Sequence, residues 1–126
     1  MRWIACCTAP KPLPKRAIII SVQALPLVTE IQSGNQEDKQ VRLLFSGPRR
    51  KLLQITLRNH AVLAAHKAAE PITIHCIAGS ATLESPVPGE QLVLAPGVLI
   101  TIEPNVYHEI RATPAVSILL SKFGTD

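Results

Sequence analysis

Four histidines, His60, His66, His75 and His108, and three cysteines, Cys6, Cys7 and Cys76, are the side chains of this 126-residue chain whose chemistry reaches beyond packing. Imidazoles and thiols bind metals, exchange protons near neutral pH or attack electrophiles. The cysteines form no C-x-x-C pair, and their odd number leaves at least one thiol outside any intramolecular disulfide, which fits a reducing cytoplasm. Glu70, Glu103 and Glu109 lie near histidines in the sequence but stand in no paired-acid arrangement. No serine or threonine sits in a nucleophile elbow, and no glycine-rich loop is present to cradle a phosphate. Any chemistry therefore depends on which of these side chains the fold brings together.

The elements that must do this are strands. Leu53, Ile55 and Leu57 alternate with Gln54, Thr56 and Arg58, the period of a strand with one buried face, and Asn59-His60 follows as a turn. Residues 41–45 form a strand ending at Ser46-Gly47-Pro48, and residues 72–77 another, closed by Gly79. Leu83 and Leu92 flank Ser85-Pro86-Val87-Pro88-Gly89-Glu90, whose prolines and glycine make a hairpin tip, and residues 98–102 and 116–120 complete the series. Residues 61–69 are Ala-rich but uncapped and are predicted as strand and loop. The β-branched run 18–22 and the segment 25–31, punctuated by Pro26, are predicted as edge strands. Alternation sets Cys76 beside Ile72 and Ile74, filling core, and aims His75 outward with Thr73 and Ile77. Short strands at regular spacing predict an all-β barrel or sandwich.

Composition excludes several classes. With 47% hydrophobic and 17% charged residues the chain folds, and its four aromatic residues are too few for a base-stacking platform. The net charge of +4 sits in the first 21 residues, where Arg2, Lys11, Lys15 and Arg16 meet no acid; the rest carries nine charges of each sign. A balanced body predicts no clustered Lys/Arg face, and so no nucleic-acid partner. No stretch approaches the ~20 apolar residues of a membrane span, and Pro10, Pro12 and Pro14 interrupt any signal-like run. Residues 1–21 are expected as a basic, proline-rich arm carrying the first strand, and residues 22–126 as the barrel.

The sequence resembles the cupin superfamily. The first cupin motif, G-x5-H-x-H-x3-E-x6-G, lies without gaps on residues 60–79, with His60 at the opening glycine, His66 at the first histidine, Ala68 at the second, Ile72 at the glutamate and Gly79 at the closing glycine. The second, G-x5-P-x-G-x2-H-x3-N, lies on residues 97–112, with Gly97 in place, Glu103 at the proline, Asn105 at the turn glycine, His108 at the histidine and Ala112 at the asparagine. Pro104, one place late, stiffens that turn.

The resemblance implies a single-domain cupin jelly-roll β-barrel with a degenerate metal motif. Cupins hold a divalent metal with three histidines and a glutamate, and only His66 and His108 stand at those positions here. The implied cofactor is none, or a divalent metal held weakly by His66 and His108. The leading expectation is a homodimeric, small-molecule-binding or sensor-type barrel whose ligand sits at His66 and His108, with Tyr107 bordering the pocket. The alternative is a metal-dependent isomerase, lyase or dioxygenase-like enzyme with an incomplete ligand set. A third possibility makes the arm a strand added to a neighbouring subunit.

Overall fold

The alternation of residues 53–58 becomes a strand in the computed structural model, which describes residues 22–32, 36–85 and 89–124. Seven strands appear among these: β1 (Lys39–Gly47), β2 (Arg50–Leu57), β3 (Val62–His66), β4 (Ile72–Ser85), β5 (Glu90–Leu94), β6 (Leu99–Ile102) and β7 (His108–Phe123). Every pairing is antiparallel. No helix among the described residues is long and apolar enough to cross a membrane.

The architecture follows from the two longest strands. β4 and β7 pair twice, residues 72–79 with 116–122 and residues 81–84 with 109–112, with irregularities between. On the first stretch β2 flanks β7 and β6 flanks β4; on the second β3 flanks β7 and β5 flanks β4. Each long strand thus serves two walls of the barrel, and β1 closes the first wall beside β2. Between the two stretches, the buried positions of β4 change from Ile72, Ile74 and Cys76 to Ala81 and Leu83. That parity change is what an inserted residue produces at a bulge, where a strand bends.

The bend explains two departures from the sequence expectation. Gly79 does not close its strand but turns it: its φ is +77°, and a Cβ there would lie 2.1 Å from the Ala115 oxygen. Ser80 Oγ donates to Thr113 O at 2.6 Å, stitching the strands where the ladder lapses. The expected strand 116–120 likewise begins as early as His108, because Pro114 falls in the lapse, where no ladder donor is required.

The core is aliphatic, built from Ile55, Leu57, Ile72, Ile74, Leu83, Leu94, Ile110, Val116, Ile118 and their neighbours, with Cys76 fully buried among them. The opposite face of β2 is also buried, although it carries Gln54 and Thr56, and Arg58, just past its end, is buried with them. Residues 22–32 cover it. Gln54 Nε2 donates to Val28 O at 2.7 Å and to Ser117 Oγ at 2.7 Å, while its Oε1 accepts from Val28 N at 3.0 Å. Arg58 donates to Gln32 O, Glu37 O and Gln40 Oε1. The expected edge strand 25–31 does not form: Pro26 lacks a donor, and side chains rather than a ladder hold the segment. The arm 1–21, with most of the expected strand 18–22, lies outside the described residues.

Arg49, Arg50, Lys51 and Lys122 line one cavity at the β1–β2 turn, with Glu70 the sole acid among its lining residues. A balanced total charge says nothing about where a sheet edge places it.

Candidate functional site: a paired-histidine cluster

β3 and β7 bring the two motif histidines together. His66 ends β3, His108 opens β7, and the two are Cα partners across the ladder. Their rings lie 4.4 Å apart between centroids, tilted by 58°. His108 is 2% exposed, whereas His66 is open to solvent. The pair thus joins one buried ring to one exposed ring.

Each ring is oriented by the backbone two residues before it. His66 Nδ1 lies 2.8 Å from Ala64 O and His108 Nδ1 lies 3.0 Å from Val106 O. A carbonyl can only accept, so Nδ1 carries the proton in both contacts, and in the neutral ring Nε2 is left with its lone pair. Burial holds the His108 imidazole below its ordinary value, helped by the nearby His66, while the bond to Val106 O acts the other way. The cluster therefore offers Nε2 acceptors or ligands, one of them desolvated.

The backbone supports the motif register independently of the histidines. All four motif glycine positions have left-handed φ: His60 at 59°, Gly79 at 77°, Gly97 at 93° and Asn105 at 64°. Asparagine tolerates that region, and histidine is enriched there relative to other non-glycine residues. Asn105 N also donates to Ala68 O at 2.7 Å, tying the turn of the second motif to the first.

Solved structures show the same arrangement of strands. A cupin superfamily protein from Desulfitobacterium hafniense superposes with a TM-score of 0.64 over 91% of this chain and 92% of its own, at 13% identity. An RmlC-like cupin protein from Desulfovibrio desulfuricans gives 0.69 over 81% and 96%, also at 13% identity. The fold is that of the cupins. KdgF from Halomonas sp. superposes with a TM-score of 0.65 over 84% of this chain and 97% of its own, at 16% identity. Neither a protein-family profile nor a functionally curated protein matches the sequence.

Within this cupin barrel the donor set does not fit the metal that the fold brings to mind. Ile72, at the glutamate position, is 2% exposed in the core, and Ala68 packs against it. Among the described residues no three His, Cys, Asp or Glu side chains converge to hold a metal ion. Two imidazoles fall short of the three or four protein ligands usual around zinc.

The other expected residues separate. Tyr107 is 48% exposed, and its ring carries the Lys67 ammonium at 5.2 Å from the centroid, beside the histidine pair in sequence on both strands. Lys67 had no signal in the sequence, since a lone lysine in a loop has none. His75 is half-buried, between Leu99 and Leu119 on the neighbouring strands. Cys76 is core, and burial pushes its thiol up, opposed by its contact with Ala78 O.

Proposed function

We propose that this chain is a small-molecule-binding cupin whose ligand docks on His66 and His108, with Tyr107 at the rim. The observation that carries this reading is the pair of backbone bonds at Nδ1, which leave both Nε2 atoms as acceptors. The matching ligand is a polar molecule presenting hydroxyl or N–H donors. Lys67 and Tyr107 add a cation and an aromatic face next to the pair.

The tautomers test it. Two-bond nitrogen–proton correlation spectra at pH 8 should show both rings protonated at Nδ1, and a proton on either Nε2 removes the acceptor and the reading with it. A fragment screen by the same spectra should give polyol or amine binders that shift both rings and are lost in His66→Ala. Elemental analysis of protein purified without a metal-affinity tag addresses the enzymatic alternative, which requires a stoichiometric divalent ion. We also propose a homodimer, supported by uncovered apolar residues on the edge strand β1.

A further inference from the structure

We propose that the cavity at the β1–β2 turn, bounded by Arg49, Arg50, Lys51 and Lys122, binds a small oxyanion of the phosphate class, either free or as the phosphoryl group of a small molecule. The proposal stands apart from the histidine pair and holds whatever that pair binds.

The charges come from two stretches of sequence. Arg49 lies in the turn, Arg50 and Lys51 open β2, and Lys122 lies at the end of β7. Lys51 and Lys122 are Cα partners in the β2–β7 ladder, so their side chains leave the same face of the sheet. Like charges placed directly opposite destabilise a sheet. Among the described residues, neither lysine nor Arg49 has an acidic partner within 4.0 Å. An anion between them supplies the missing counter-charge.

The cavity has sufficient room and a fixed wall. Its volume is about 190 Å³. That space is ample for one phosphate together with part of its hydration water. Arg49 holds a left-handed φ of 70°, and its carbonyl accepts from Gly124 N at 2.8 Å. Phe123 N donates to Pro71 O at 3.0 Å, fastening the end of β7 to the loop that carries Glu70. The Arg50 guanidinium lies over the Phe45 ring at 4.5 Å and its Nη1 donates to Pro48 O at 3.5 Å, which leaves its other N–H groups for an oxyanion. Glu70 reduces the four positive charges to a net three, still an excess for a dianion.

The experiment is calorimetry and thermal denaturation of the full chain with inorganic phosphate and pyrophosphate, against sodium chloride at matched ionic strength. Wild type should bind one anion per chain and melt higher in phosphate than in chloride. Lys51→Gln with Lys122→Gln should weaken binding at least about tenfold, since it removes two charge-assisted contacts. The anion-free double variant should melt no lower than wild type, because the opposed charges are gone. Arg49→Gln should weaken binding through a different element, and His66→Ala should leave it intact. Equal melting shifts in phosphate and chloride would overturn the proposal. So would undiminished binding by both the lysine pair variant and Arg49→Gln, or binding of an RNA oligomer without any affinity for phosphate or pyrophosphate.

Discussion

His108 is the residue where burial and chemistry meet, and its linkage to stability has a definite sign. Its folded value lies below the ordinary one, so on acidification the unfolded chain takes up a proton before the native state does. Stability is therefore complete above the usual imidazole range and falls as pH drops from about 6.5 towards the lowered folded value. Wild type should show this loss in melting temperature between pH 7.5 and pH 5.5, and His108→Gln should show a shallower one. A second residue-scale test rebuilds the motif. Ala68→His with Ile72→Glu places a histidine and a carboxylate where the motif register expects them. The metal-free double variant should be destabilised by about 2–4 kcal/mol, since a charge enters a site that Ile72 fills. Added nickel, zinc or manganese should restore its melting temperature by mass action, with wild type responding far less. The two histidines were legible because motif spacing survives the loss of their partners. Their orientation was not, because it depends on the carbonyls of Ala64 and Val106, which belong to no residue type.

At the scale of elements, alternation located the strands where one face meets the core and the other meets water, as at Ile72, Ile74 and Cys76. It misplaced the ends where a strand bends instead of stopping. Gly79 and Pro114 are ordinary strand breakers in sequence, and only the partner strand reveals that both sit in one shared bend. Polar Gln54 and Arg58 read as a solvated face for a related reason: the segment covering them is joined to them through side chains, which leaves no periodic trace. The bend yields a sharp prediction. Gly79→Ala adds a Cβ against the Ala115 oxygen at a φ that alanine avoids, so denaturant unfolding should show a loss of about 2–4 kcal/mol. Ser80→Ala, which removes only a stitch, should lose about 1 kcal/mol.

For the whole molecule, the fold class was legible from strand spacing, while assembly and ligand are matters of surface. Val41 and Leu43, 59% and 57% exposed, share the sheet face of Ile55 and Leu53, their ladder partners, yet nothing described covers them. Light scattering should give a dimer mass, and Val41→Glu with Leu43→Glu should give a monomer that keeps its β-type circular dichroism. The place of β7 has a further consequence, for the order of synthesis. This strand follows every other one along the chain, yet it lies between β2 and β4 and also holds β3. While a ribosome is still making residues 1–107, hairpins such as β1–β2 and β4–β5 can close locally, but neither long wall has its middle. The two long walls therefore close only through pairing with β7 across a long sequence separation, the kind of contact that slows folding and prolongs the exposure of strand edges.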